Sequence, residues 1–165
     1  MIWKKYKNKE HYGFKLYDEN DSVILKMELG AKKAPTKASL EIGKEQFCIK
    51  RKGFWKTGIA VTDEDDKIIA EVKSEKQHYG LGSISIDKNK FYYNYRNNPL
   101  VELQMYSNPY APLITYNLIT KSKTPAVALT ISEQLKKMPQ HKILIALTWY
   151  MFQPIARENS IICSE

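Results

Sequence analysis

Hydrophobic and polar residues alternate with a period of two along most of this chain, from about residue 12 to about residue 132. Segments such as 22–29 and 91–96 are rich in β-branched and aromatic residues, which favour strands. Such segments recur at the spacing of about 8–12 residues that is typical of sandwiches and barrels. The pattern predicts ten or more strands, and the longer segment 39–51 holds either two strands or one strand bent at Gly43.

One hairpin sequence occurs twice. Residues 13–27 align without gaps on residues 58–72, and Gly, Asp, Glu, Asp and Ile recur at equivalent places. Each copy is typical of a β-hairpin with an acidic turn, at residues 18–21 and 63–66. Asp and Asn favour tight turns, and neither turn has the spaced oxygens of an EF-hand, so we interpret both as turns rather than calcium sites. A single hairpin cannot bury its own apolar face, so the copies must close on one another or on another element.

That other element is a helix predicted near the C-terminus, over about residues 140–153. Pro139 is expected in its first turn and Pro154 at its end. Apolar residues from Ile143 to Phe152 occupy every side of the helical wheel, so the helix is buried on all sides or lies in lipid. This apolar core is about half of the roughly 20 residues that span a bilayer, which argues against a transmembrane anchor. The helix matches the strands in length, so we predict a closed antiparallel barrel around it, with a helix between two open sheets as the alternative.

The repeated hairpin and the apolar C-terminal helix together resemble the tubby-like superfamily, which includes tubby C-terminal domains, LURP-one-related proteins and phospholipid scramblases. Residues 55–73 and 143–152 carry most of the likeness, which extends loosely across nearly the whole chain. The resemblance implies a mainly β fold, with a closed barrel of about twelve antiparallel strands enclosing one hydrophobic helix. The chain departs from the scramblases because residues 126–141 lack the alternating carboxylates of their calcium loop. The phosphoinositide-binding residues of tubby domains do not align one for one, so no ligand residue is transferred.

A length of 165 residues predicts a single domain over 1–165, with strands at about 12–132, the helix, and a short C-terminal tail. The basic N-terminus has no apolar segment behind it and is not expected to be a signal peptide. Cys48 and Cys163 make no disulfide framework, which favours a cytoplasmic protein. A location peripheral at the membrane is expected from the basic residues between positions 32 and 56.

The net charge of +8 favours an anionic partner, and most of it lies between residues 32 and 56. This basic stretch holds eight cations against Glu41 and Glu45, a net charge of +6. Trp55 adds an aromatic ring that suits a lipid interface or stacking on a base. The alternative is a solvated strand edge, where lysines block aggregation. The candidate anion-binding residues are Lys32, Lys33, Lys37, Lys44, Lys50, Arg51, Lys52, Trp55 and Lys56.

The sequence contains no recognisable catalytic motif. Cys48 has no His near it in the sequence, and the Gly-Leu-Gly of residues 80–82 leads into a strand rather than into the helix that a nucleotide loop requires. We interpret the tyrosines as barrel filling and rim rather than as a base-stacking platform; they are Tyr92, Tyr93, Tyr95, Tyr106, Tyr110 and Tyr116.

These patterns favour a non-enzymatic binding module with no cofactor and no metal. We predict that it engages anionic phospholipid headgroups or a membrane surface through the basic stretch. The first alternative is single-stranded nucleic-acid binding on a basic, aromatic barrel face. A small-ligand-binding or enzymatic barrel is less favoured, because the helix would fill the cavity that such a role requires.

Overall fold

A computed structural model of the chain describes residues 1–7, 12–29, 36–53, 58–75, 80–97, 100–119 and 126–162, with side chains as far as Ala156. Over these residues the chain forms twelve strands and two helices. The strands are β1 (Ile2–Lys7), β2 (Tyr12–Tyr17), β3 (Val23–Leu29), β4 (Lys37–Ile42), β5 (Glu45–Lys52), β6 (Gly58–Thr62), β7 (Ile68–Ser74), β8 (Leu81–Ile86), β9 (Asn89–Arg96), β10 (Glu102–Tyr106), β11 (Pro112–Ile119) and β12 (Ala126–Ile131), and the helices are α1 (Glu133–Lys136) and α2 (His141–Ile162).

The residues fall into two compact units, the first made of 1–73 with 85–88 and the second of 74–84 with 89–165. In the first unit, neighbouring strands from β1 to β7 pair in antiparallel register. In the second unit, β9 to β12 do the same. Within each unit the strand order therefore follows the chain order. The predicted fold class, mainly β with about twelve antiparallel strands and a hydrophobic C-terminal helix, is confirmed.

The alternation of the sequence explains which face of each strand is buried. In β4, Ala38, Leu40 and Ile42 are buried, while the residues between them are exposed. Side chains of a strand point alternately to its two faces, so one face packs in the core and the other carries the charges. The segment 39–51 holds two strands, because Gly43 adopts a φ of 64° in the turn between β4 and β5.

Helix α2 is buried around its whole circumference. Every residue from Leu144 to Tyr150 is buried, as the apolar wheel predicts. In the second unit, α2 packs on β10 and β11. The Tyr116 hydroxyl of β11 donates a hydrogen bond of 3.0 Å to the carbonyl of Ile145, and the rings of Trp149 and Phe152 each lie 5.5 Å from the Tyr116 ring.

Three element boundaries differ from the sequence prediction. Pro154 lies inside α2, which continues to Ile162, so the predicted helix end near residue 153 is wrong. A proline removes one backbone hydrogen bond, but the residues after it still find their own partners four positions earlier. The strands begin at Ile2 rather than near residue 12, and the short helix α1 was not predicted. Helix α2 begins at His141, so Pro139 precedes the helix and does not lie in its first turn as predicted.

Candidate functional site: an exposed basic face

The structure describes five of the nine candidate residues of the basic stretch. They lie on the β4–β5 hairpin, and they are Lys37, Lys44, Lys50, Arg51 and Lys52. The other four candidates, Lys32, Lys33, Trp55 and Lys56, lie outside the described residues, as does Cys163 of the predicted tail.

The register of β4 and β5 separates these five residues into three places. Lys37 lies directly opposite Lys50, and Lys52 follows two residues later on the same exposed face. Arg51 points to the other face, which it shares with the buried Ile49. Lys44 lies in the turn at the opposite end of the hairpin, about 17 Å along the strands from Lys37. The structure therefore brings together Lys37, Lys50 and Lys52.

Carboxylates from the second copy of the repeat partly neutralise this group. Lys50 Nζ lies 2.8 Å from Asp66 Oδ1, and Lys52 Nζ lies 3.6 Å from Glu71 Oε1. The hydrogen bond from Lys50 lowers the pKa of the Asp66 carboxyl, and its positive charge adds to this effect. The same bond raises the pKa of the Lys50 ammonium.

The two copies of the repeat form the same turn, which confirms their interpretation as hairpins. Asp18 Oδ1 accepts the backbone N–H groups of Asn20 and Ser22, both at 2.9 Å. In the second copy, Asp63 Oδ1 accepts those of Asp65 at 3.1 Å and Lys67 at 2.9 Å. Each carboxylate is thus engaged in holding its own turn, as aspartates of tight turns commonly are.

The repeat also includes the strand before each hairpin, which the sequence comparison missed. Lys4 of β1 lies opposite Lys15, and Lys50 of β5 lies opposite Ala60, the equivalent of Lys15. Lys4 Nζ forms an ion pair of 2.7 Å with Asp21, just as Lys50 does with Asp66. Lys4 and Lys50 are 46 residues apart, whereas equivalent residues of the two hairpins are 45 residues apart. An alignment of the two copies without gaps therefore does not extend to the strands that precede the hairpins.

A second group of lysines lies on the exposed face of β1, β2 and β3. Lys4 pairs with Lys15, and Lys15 pairs with Lys26, so the three residues form one row across three strands. We call them the lysine row. Strands are about 4.8 Å apart, which places the three Cα atoms within about 10 Å. Sequence reasoning missed this row, because the three residues are far apart in the chain and no charge cluster marks them.

Tyr6 packs beside the lysine row on the same face. Its ring lies over Gly13, where an added Cβ would be 2.8 Å from the ring and 2.2 Å from the Met27 carbonyl oxygen. Its hydroxyl donates a 3.1 Å hydrogen bond to Glu28, and Lys15 Nζ lies 5.3 Å from the ring centroid. Burial of the hydroxyl, followed by the negative charge of Glu28, raises the pKa of Tyr6 above its ordinary value.

The tyrosines of the second unit divide between core and surface. Tyr93 and Tyr116 are buried, whereas 48% of Tyr92 and 93% of Tyr110 is exposed. This division agrees with the predicted roles of filling and rim.

Other candidate chemistry is sparse over the part of the chain that the structure describes. Cys48 is half-buried on β5, opposite Thr62. His141 Nδ1 lies 2.7 Å from the Met138 carbonyl oxygen, at the start of α2. Among the described residues, no three His, Cys, Asp or Glu side chains are placed to share a metal ion. Within the same residues, none of the helices has the combined length and hydropathy needed to cross a bilayer.

Comparisons with protein-family models, with curated proteins and with solved structures find no match for this chain.

Proposed function

We propose that this protein is a non-enzymatic binding module whose exposed basic face holds anionic phospholipid headgroups at a membrane surface. The observation that carries the proposal is the arrangement of lysines in cross-strand positions, with Lys4, Lys15 and Lys26 in one row and Lys37 opposite Lys50. We further propose a cytoplasmic protein, peripheral at the membrane, that belongs to the tubby-like superfamily.

Ion pairing within the fold offsets only part of the repulsion in this arrangement of lysines. Like charges directly opposite one another on neighbouring strands destabilise a sheet. The ion pairs of Lys4 and Lys50 with Asp21 and Asp66 are exposed, and exposed pairs contribute little. Lys26 is better compensated, because it lies 2.7 Å from Glu28 and opposite Glu41 of β4. An anionic surface would offset the repulsion, because each lysine near such a surface contributes about 1 kcal/mol to binding.

Phospholipid headgroups fit this face better than single-stranded nucleic acid. Base stacking requires aromatic rings with open faces. Here the described rings among the lysines are already covered, since Lys4 Nζ lies 4.4 Å from the Tyr17 ring centroid and the Tyr6 ring lies against Gly13. Lysine ammonium groups on flexible stems suit the diffuse charge of a membrane surface.

Co-sedimentation with vesicles tests the proposal. Wild-type protein is mixed with vesicles of phosphatidylcholine alone or with added phosphatidylserine, at two salt concentrations. Binding should require the anionic lipid and weaken steeply with salt, because exposed charges are screened over about 8–10 Å. A competing oligonucleotide should have no effect.

Three double variants locate the binding face, and each removes two positive charges. Lys4→Gln/Lys15→Gln and Lys37→Gln/Lys50→Gln should each weaken binding roughly 30-fold, from about 1 kcal/mol per lysine. The matched control is Lys136→Gln/Lys137→Gln on and beside α1, where both side chains are exposed. An equal loss in the control would mean that net charge alone drives binding, and no pelleting of the wild type would refute the proposal.

A further inference from the structure

The connection between β10 and β11 presents an aromatic side chain to solvent in a fixed turn. Tyr110 is 93% exposed, the largest exposed fraction among the exposed large hydrophobic residues described. Its backbone N–H donates a 3.1 Å hydrogen bond to Asn108 Oδ1, which orders the turn around Pro109. The exposed fraction shows that the ring points into solvent rather than folding back on the sheet.

Two further tyrosines lie beside this turn. Tyr106 pairs with Tyr92 on β9 and with Pro112 on β11, at the ends of the strands next to the turn. Because Met105 and Tyr93 are buried, their neighbours Tyr106 and Tyr92 point to the outer face. We call Tyr92, Tyr106 and Tyr110 the tyrosine tip.

A lysine accompanies the tyrosine tip. Lys90 Nζ lies 5.3 Å from the centroid of the Tyr92 ring, in position for a cation–π interaction. A polar-tipped aromatic ring with a neighbouring cation matches the chemistry of the bilayer interface, where tyrosine hydroxyls stay at the headgroup level and lysine ammonium groups reach the phosphates.

We infer that the tyrosine tip inserts into the interfacial zone of an anionic bilayer. The inference rests on the proposed membrane-binding function and assigns an aromatic anchor to the second unit. Nucleic acid fits the tip less well, because a single-strand site needs a groove of cations along the backbone. The described cations that act on the tip are two, Lys90 on the Tyr92 ring and Arg96 near the Tyr106 hydroxyl.

An environment-sensitive dye tests the insertion directly. The dye is attached to a cysteine at Tyr110→Cys or, as control, at the exposed Gln134→Cys on α1, with Cys48 and Cys163 replaced by Ser. With phosphatidylserine-containing vesicles, emission at position 110 should shift to the blue, and emission at position 134 should stay as in water. Vesicles of phosphatidylcholine alone should shift neither.

A second measurement uses the unlabelled protein. Tyr110→Ala should weaken vesicle binding roughly tenfold without changing its salt dependence, because an uncharged contact is lost. Tyr110→Trp should restore binding, since both rings favour the interface.

The outcomes separate this inference from the proposed function. One outcome is that wild-type protein pellets with anionic vesicles while the dye at position 110 stays in water and Tyr110→Ala binds normally. That result refutes the insertion of the tyrosine tip and leaves binding by the basic face supported. A blue shift with an oligonucleotide instead of vesicles would also overturn the inference. If the wild type does not pellet at all, both proposals fail.

Discussion

Asp21 and Asp66 occupy the same place in two copies of one structural unit. Both adopt a left-handed backbone, with φ of 59° and 58°, and each accepts an ion pair from a lysine on the strand that precedes its own hairpin. Their equivalence makes each copy an internal control for substitutions in the other.

The backbone at Asp66 should favour glycine over alanine. A residue with a Cβ pays roughly 1–2 kcal/mol for left-handed backbone, and glycine does not. Asp66→Gly and Asp66→Ala both lose the ion pair with Lys50, so Asp66→Ala should be less stable by about 1 kcal/mol. Urea unfolding measures the difference, and equal stabilities would contradict the argument. Asp21→Gly and Asp21→Ala should differ in the same direction.

Gly13 should tolerate no side chain, unlike its repeat equivalent Gly58. An added Cβ at Gly13 would meet the Met27 carbonyl oxygen at 2.2 Å, a backbone atom that cannot move without disturbing the β2–β3 pairing. At Gly58 the nearest described atoms are 3.6–3.7 Å away, which is ordinary contact. Gly13→Ala should therefore cost about 2 kcal/mol or more in thermal unfolding, and Gly58→Ala less than about 1 kcal/mol.

The Tyr6 ring offers a check on this explanation. Combining Tyr6→Ala with Gly13→Ala removes the ring contact but leaves the clash with the Met27 carbonyl. The double variant should stay destabilised. If it regained the stability of Tyr6→Ala alone, the ring rather than the backbone would be the obstacle.

The titration of Asp66 should depend on Lys50. The hydrogen bond and charge of Lys50 lower the pKa of Asp66 in the folded protein, so Lys50→Gln should move that pKa upward toward its ordinary value. Carboxyl chemical shifts followed by NMR against pH measure this change. The matched control is Lys4→Gln, which removes the equivalent lysine of the other copy and should leave Asp66 unchanged.

The sign of the linked stability follows from the lowered pKa. The unfolded chain takes up the proton of Asp66 at higher pH than the folded chain does. The contribution of the ion pair is therefore present above the ordinary carboxyl pKa, and it is lost as the pH falls through the lowered pKa of the folded state. A stability difference between wild type and Lys50→Gln that grew on acidification would contradict this account.

The hydroxyl of Tyr116 should contribute modestly to stability, because its acceptor is a carbonyl inside helix α2. The Ile145 carbonyl accepts from Tyr116 at 3.0 Å, whereas Thr148 Oγ1, which has a single proton to donate, lies closer to the Leu144 carbonyl oxygen, at 2.7 Å, than to that of Ile145, at 3.1 Å. Tyr116→Phe keeps the ring contacts with α2 and removes one buried hydrogen bond, so it should cost about 1 kcal/mol. Adding Thr148→Val should cost about the sum of the single changes, because Thr148 donates mainly to Leu144, as a double-mutant cycle in urea would measure. A large coupling energy would show instead that the two hydroxyls share the Ile145 carbonyl.

Local patterns in the sequence were sufficient to locate most strands, the turns and the buried helix. Alternation marks strands such as β3 and β4 because each has one buried face. β1 was missed because lysines lie on both of its faces and its residues are mostly exposed, so no alternation marks it. The predicted helix end is wrong because Pro154 removes one backbone hydrogen bond without ending α2, which continues past it.

Only those residues of the candidate site that lie close together in the sequence could be placed together before the structure was known. The placing of Lys50 and Lys52 on one face follows from strand geometry alone, because the two residues are two positions apart on β5. The lysine row depends on how β1, β2 and β3 are paired in register, and the sequence carries no direct signal of that register. The acidic partners of Lys4 and Lys50 were missed for the same reason, since each lies 16 or 17 residues away along the chain.

The packing of β10 and β11 on α2 has a consequence for synthesis on the ribosome. The strand pairings described within each unit all join neighbours in the chain, so each hairpin closes a short loop and can form as soon as it emerges. The apolar residues of β10 and β11, such as Leu103 and Tyr116, pack against a helix that is translated after them. Until α2 emerges, these strands present an uncovered apolar surface. The nascent chain therefore passes through an aggregation-prone interval that ends only when its last described element is complete.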